Sequence, residues 1–184
     1  MALKWYAALS ALLLVGCATP RLAVPPGAIE STAGPRELLE PRARFTVVEF
    51  FSAHCPCQSA HDARLIALAA KYQGSGVSFA VVDSEVGATL ERDRVEAQRR
   101  GYPFPITIDT GGRVARALDA QFATYVVLVD STGRVLFRGG FDSDHRDLHA
   151  DATPYLENAI EDALASRAQR RNEARVLGCA LQLE

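Results

Sequence analysis

Thr46-Val47-Val48-Glu49-Phe50-Phe51-Ser52-Ala53-His54-Cys55-Pro56-Cys57 is the stretch that decides how this chain folds. Its first six residues are rich in β-branched and aromatic side chains, the composition of a strand. A turn then delivers two cysteines to a new pattern. Leu65, Leu68, Ala69 and Tyr72 recur at i, i+3, i+4 and i+7, so a helix is expected over 58–73. A cysteine at a helix start feels the positive end of the helix dipole, which favours the reactive thiolate. Strand, cysteines, helix: that order implies thiol chemistry more than an inert buried sulfur.

Working outward, the remaining pattern alternates. Gly74 and Gly76 stop the first helix, and 77–82 is a continuous apolar run of the buried, parallel-strand kind. A polar helix follows over 88–100, ended by Gly101 and Pro103. Short strands are expected at 106–108 and 125–129, with a helical turn over 113–118 between them. Ser131-Thr132-Gly133 turns the chain into a hairpin partner at 134–138. A closing helix is expected with Thr153 as its cap and Pro154 at its first position, burying Leu156, Ile160, Ala163 and Leu164. Strands alternating with helices, then a hairpin and a last helix, predict an α/β sandwich with a mixed central sheet.

The ends carry different information. Lys4 precedes an apolar run from Trp5 to Val15, closed by Leu14-Val15-Gly16-Cys17. About a dozen apolar residues are too few to span a bilayer, which needs roughly 20, so 1–16 read as an export signal. The closing tetrapeptide resembles a bacterial lipobox, which implies acylation of Cys17 and a lipid anchor in the cell envelope, facing the periplasm. Ala18 carries no acidic retention signal, which points to the outer membrane. Five of the nine prolines fall between Ala18 and Arg42, so 17–42 are expected to tether a single domain, 43–168, to the membrane. The formal charge is −2 and no basic cluster lies outside the C-terminal helix, which argues against a nucleic-acid partner. A tail, 169–184, ends the chain and holds Cys179. With Cys17 spent on lipid, three cysteines remain, an odd number for an oxidising compartment.

Three places resemble one family. Val48-Glu49-Phe50-Phe51-Ser52-Ala53-His54-Cys55, Phe104-Pro105-Ile106-Thr107-Ile108-Asp109 and Val126-Val127-Leu128-Val129-Asp130-Ser131-Thr132-Gly133-Arg134-Val135 are similar to the thioredoxin/redoxin superfamily, in particular its alkyl hydroperoxide reductase and thiol-specific antioxidant group. The resemblance covers about 45–166 and implies a thioredoxin-like three-layer sandwich. It places Cys55 at the attacking position and Glu49 at the buried carboxylate beneath the site, where it could relay a proton. Two departures stand out. Gln58 occupies the place of the second cysteine of CxxC, leaving Cys57 in a CxC pair. Thr124 and Tyr125 occupy the registers in which the family has its cis-proline.

Three activities compete on these residues. A thiol–disulfide oxidoreductase would use Cys55 as nucleophile, with His54 lowering its pKa when protonated and Cys57 or Cys179 resolving the mixed disulfide; its partners would be protein thiols and disulfides or a dedicated redox protein. It needs no cofactor. A thiol peroxidase would use Ser52 to steer peroxide toward Cys55, although Val48 stands where that motif has proline. A copper-binding protein would ligate the metal through Cys55, Cys57 and His54 or His61, all soft or borderline donors. His145 and His149 add a further pair of ligands if their segment is helical.

Overall fold

A computed structural model of the chain describes residues 28–183. The expected export signal, the lipidation site Cys17 and the first part of the tether lie outside the described residues.

Five strands form one mixed sheet: β1 (Phe45–Phe51), β2 (Val77–Asp83), β3 (Ile106–Ile108), β4 (Tyr125–Asp130) and β5 (Val135–Gly140). Their order is β3-β2-β1-β4-β5, with β1 parallel to β2, β2 parallel to β3, and β4 antiparallel to both β1 and β5. Four helices accompany them: α1 (Pro56–Lys71), α2 (Leu90–Arg100), α3 (Arg113–Ala117) and α4 (Tyr155–Leu164). The parallel pairs are joined by helical crossovers, and the antiparallel pair β4–β5 by a tight turn, as their hydrogen-bond patterns allow.

β1 sits in the middle, so both of its faces are covered and its side chains alternate between two cores. Val47 and Phe51 pack with Val126, Leu128, Leu65 of α1 and Leu156 and Ile160 of α4. Val48 and Phe50 pack on the opposite face with Val82, Val127, Val114 of α3, Leu38 and Leu181. Phe50 and Phe51 are both fully buried, each contributing on the order of 2–3 kcal/mol of apolar burial. This layering is the expected three-layer α/β sandwich.

Three segments depart from expectation. The stretch expected to be a free tether joins the fold in its second half: the Ile108 N–H donates to the Glu30 carbonyl and the Thr32 N–H to the Ile106 carbonyl, both at 2.9 Å, and Leu38 enters the core. These bonds cover the outer edge of β3. At the last helix, Pro154 takes the cap position and Thr153 does not cap. Thr153 is held instead against the 141–153 loop, its N–H donating to Ser143 Oγ at 2.8 Å and its carbonyl accepting from the Ser143 N–H at 3.1 Å.

The C-terminal tail is the third. It runs parallel to β5, with the Arg138 N–H donating to the Asn172 carbonyl and the Ala174 N–H to the Arg138 carbonyl, both at 3.0 Å. Gly139 and Gly140 admit it. A Cβ at Gly139 would stand 2.3 Å from the Ala174 carbonyl oxygen, and one at Gly140 2.5 Å from that of Arg175. The tail then crosses to the loop before β4. There Phe122 and Ala180 form an antiparallel bridge, the Ala123 N–H donates to the Cys179 carbonyl at 2.8 Å, and the Leu181 N–H to the Gln121 carbonyl at 2.9 Å. The Val86 N–H fixes the Gln182 carbonyl at 2.7 Å.

Candidate active site

β1 ends at Phe51, and the turn Ser52–Cys55 closes with the Cys55 N–H donating to the Ser52 carbonyl at 3.3 Å. Cys55 is the residue before α1, in extended conformation (φ −82°, ψ 117°), and Pro56 opens the helix. Proline suits that position because its missing N–H would have had no helical partner. Cys57 follows inside the first turn. Both side chains point into the Leu181 side of the core, where Cys55 is 1 % and Cys57 2 % exposed.

The tail brings the third sulfur. The Sγ atoms of Cys55, Cys57 and Cys179 all lie within 4.8 Å of one another, and all three cysteines are free thiols. Gly178 is what lets Cys179 in. A Cβ there would stand 1.8 Å from the Ala123 carbonyl oxygen and 2.9 Å from Thr124 Oγ1. Thr124 is itself unusual, a buried β-branched residue at φ +63° with its N–H donating to the Phe50 carbonyl at 2.9 Å. A β-branched residue in that region is an outlier that costs roughly 1–3 kcal/mol and persists only where its surroundings hold it. Thr124 is one of the two residues, with Tyr125, in the registers where the resembled family has its cis-proline.

The three thiols are electrostatically unequal. Burial works against charge on Cys55, yet the Cys179 thiol and the backbone N–H groups of Gln58, Cys179 and Cys57 outweigh it and hold the Cys55 thiol below its ordinary value. Cys179 is pushed up to about 12, first by burial and then by its place beside the Cys55 thiolate. Cys57 is raised by burial and by Cys55. One thiol favoured as the thiolate therefore sits beside two that hold their protons. His54, expected to supply the stabilising charge, is exposed, and the groups that act on Cys55 are backbone N–H and thiol instead.

Glu49 lies beneath the turn, in the central strand between Val81 and Val126, and is 1 % exposed. Burial pushes its carboxyl up to about 8, against a single opposing hydrogen bond from Gln58 Nε2 to Oε1 at 3.1 Å. Its Oε2 has no hydrogen-bond partner, which favours the neutral acid in a site shut off from water. Gln58 thus touches Glu49 with its side chain and Cys55 with its backbone N–H, at the position where a second active-site cysteine was missing.

Sequence reasoning missed the frame around this acid. Gln58 Nε2 also meets the Tyr102 hydroxyl at 3.1 Å, and that hydroxyl donates to Asp62 Oδ1 at 2.5 Å. The Arg100 guanidinium binds Asp62 Oδ2 at 2.7 Å and the Ala53 carbonyl at 3.1 Å, lying over the Phe51 ring. Arg100 closes a polar helix and looks solvated in sequence; only the packing of α2 against α1 turns it inward.

His61 does not join the sulfurs. Nδ1 meets the Cys57 carbonyl at 2.9 Å and Nε2 meets Asp142 Oδ1 at 3.1 Å, so both ring nitrogens face acceptors and neither is free to ligate. Arg64 pairs with the other Asp142 oxygen and with Asp144 at 2.9 Å, making a structural clasp between α1 and the 141–149 loop. His145 and His149 lie in that non-helical loop, where His149 Nδ1 meets Asp144 at 3.1 Å. His61, considered as a ligand with Cys55 and Cys57, therefore lies apart from them, and the third donor atom beside the two sulfurs is Cys179 Sγ. Ser52, considered for steering peroxide, spends its hydroxyl on Glu85 Oε2 at 3.0 Å.

No protein-family model matches the chain, and no curated protein matches it. Solved structures do. A hypothetical protein from Sinorhizobium meliloti 1021 is 25 % identical over 90 % of this chain and 94 % of its own, with a TM-score of 0.81. The thioredoxin domain of a thiol-disulfide oxidoreductase from Bacteroides vulgatus is 16 % identical over 78 % of this chain and 97 % of its own, at 0.59. The bacterioferritin comigratory protein of Xanthomonas campestris, a structure concerned with alkyl peroxide reduction, is 14 % identical over 76 % of this chain and 90 % of its own, at 0.55. The fold is thioredoxin-like, and its neighbours include peroxiredoxin-type proteins.

Proposed function

We propose that the chain is a thiol–disulfide oxidoreductase of the bacterial cell envelope, lipid-anchored through Cys17, in which Cys55 attacks and Cys179 resolves. One observation carries the reading: three sulfurs within 4.8 Å of one another, of which Cys55 alone is favoured as the thiolate.

In the reducing direction the Cys55 thiolate attacks one sulfur of a partner disulfide, forming a mixed disulfide and releasing the partner's first sulfur as thiolate. Cys179, giving up its proton, then attacks Cys55 Sγ. The second partner sulfur leaves and takes a proton, and the enzyme is left with a Cys55–Cys179 disulfide. The partner has gained two electrons and the enzyme has lost two; a thiol reductant of the envelope restores the dithiol. The same steps run backward oxidise a dithiol. Glu49, with its carboxyl near 8, suits the role of a buried proton acceptor and donor close to neutral pH.

Cys179 suits the resolving role better than Cys57. Cys55 and Cys57 are fixed by one helix start, and a bridge across a single residue must meet the roughly 4.4–6.8 Å Cα separation of disulfides within that fixed backbone. Cys179 rides on a tail held by main-chain hydrogen bonds to a loop, which can yield when a partner enters.

The test is insulin reduction with disulfide mapping of the oxidised protein. Turnover that disappears in Cys55→Ser, with a Cys55–Cys179 bridge in the wild type, supports the reading. Turnover that survives Cys55→Ser overturns it, and a Cys55–Cys57 bridge as the dominant product overturns the role given to Cys179.

A further inference from the structure

We propose that the fully reduced chain binds one copper(I) ion in a three-coordinate site made by the Sγ atoms of Cys55, Cys57 and Cys179. This goes beyond disulfide exchange while sharing its three cysteines.

The geometry is close to what the ion asks for. A metal in one plane with three thiolates at about 2.3 Å separates the sulfurs by about 4 Å. The three Sγ atoms already lie within 4.8 Å of one another, delivered from two unrelated parts of the chain. Small side-chain rotations complete the triangle, so little of the site has to be built on binding.

The donor set selects the metal. All three ligands are thiolate sulfurs, which favour soft ions. Among the described residues no histidine or carboxylate belongs to the cluster, and both nitrogens of the neighbouring His61 are engaged elsewhere. Zinc would want a fourth ligand, which the cluster does not offer among the described residues; Cys55 and Cys57 are buried at 1 % and 2 % exposure and only the half-buried Cys179 faces outward. Copper(I) accepts three. The positive end of α1 and the backbone N–H groups around Cys55 offset the negative charge of the resulting complex.

The balance needs no external oxidant or reductant. Copper(I) enters as copper(I), three metal–sulfur bonds form to the Cys55 thiolate and to Cys57 and Cys179, and the thiol protons of Cys57 and Cys179 pass to the buffer. A Cys55–Cys179 disulfide removes two of the three ligands. Metal binding and disulfide formation therefore exclude each other, and the redox state of the thiols decides which occurs.

The experiment uses the full chain with Cys17→Ser, reduced and handled without oxygen, and titrated with copper(I) against a chromophoric copper(I) chelator. One equivalent is expected, with X-ray absorption showing three sulfur scatterers. Cys57→Ser and Cys179→Ser should each weaken binding about 100-fold or more. The disulfide-oxidised protein should bind none. Failure to compete with the chelator, affinity unchanged in Cys179→Ser, or zinc retained in preference to copper(I) would each overturn the proposal. Insulin reduction measured on the same preparations separates the two readings: exchange without copper binding sinks this one alone, and copper binding without exchange sinks the oxidoreductase.

Discussion

Cys55 has two sulfur neighbours, and the chain brings them by opposite means. Cys57 arrives through local structure: it lies in the first turn of α1 and could hardly be elsewhere once that helix starts. Cys179 arrives from the far end of the chain on a tail whose place is fixed by a parallel pairing with β5 and an antiparallel bridge at Phe122. The first neighbour comes with the helix. The second is conditional, since it is held largely by main-chain hydrogen bonds that a competing extended segment could also make, with the Arg138–Glu173 ion pair and the packing of Leu181 beside them. The difference assigns a permanent part and a removable part to one site.

Cysteine replacement should break this comparison most sharply. Cys55→Ser is expected to lower disulfide exchange by at least about 1,000-fold, since no other thiol is favoured as the thiolate. Cys179→Ser should stop the reaction at a mixed disulfide on Cys55, visible as a mass adduct. Cys57→Ser should still form the Cys55–Cys179 bridge. Equal defects in the two would erase the distinction between neighbours.

Gly178→Ala sharpens the same contrast without touching a thiol. The new methyl overlaps the Ala123 carbonyl, so the tail must lift. Alkylation of Cys55 by iodoacetamide should then rise about tenfold or more, and intramolecular disulfide should form more slowly. An unchanged alkylation rate would show that the tail is not what covers Cys55.

Glu49→Gln reads the permanent part. An acid whose folded pKa rises from an ordinary 4.5 to about 8 costs stability once ionised. The folded state holds its proton over a window in which the unfolded state has lost it, so stability falls between pH 4.5 and about 8 and levels off above. The variant should remove that slope, raising Tm at pH 9 by about 5 °C or more while gaining nothing at pH 4. It should also slow exchange about 10- to 100-fold. A slope that persists in the variant belongs to some other group.

The smallest effect is expected at Ser52. Losing its bond to Glu85 should cost about 1 kcal/mol in denaturant melts. Exchange should stay within about twofold, whereas a peroxidase that used this hydroxyl would lose most of its rate.

The sheet and the place of Cys55 at a strand-to-helix turn were legible because their causes are local. Val77 to Val82 announces a strand, buried on both faces from Ala80 onward, and β1 and β4 carry the same signal. The burial of Glu49 follows from β1 being central, which the strand order decides and the run of Val and Phe only hints at. His61 misled because a histidine one turn from a cysteine looks like a ligand, and nothing nearby in sequence reveals Asp142. The tail was the least legible. It docks largely through backbone groups, with Ala174 and Leu181 entering the two cores, and glycines admit it by the space they leave free.

That last feature bears on how kin of this chain should be sought. A strap recognised through its peptide groups leaves most of its letters free to drift, so alignment over the final fifteen residues will look like noise. The signature expected to persist is sparse: two adjacent glycines where β5 ends, and a Gly-Cys pair in the strap of a homologue whose first helix follows Cys-Pro-Cys.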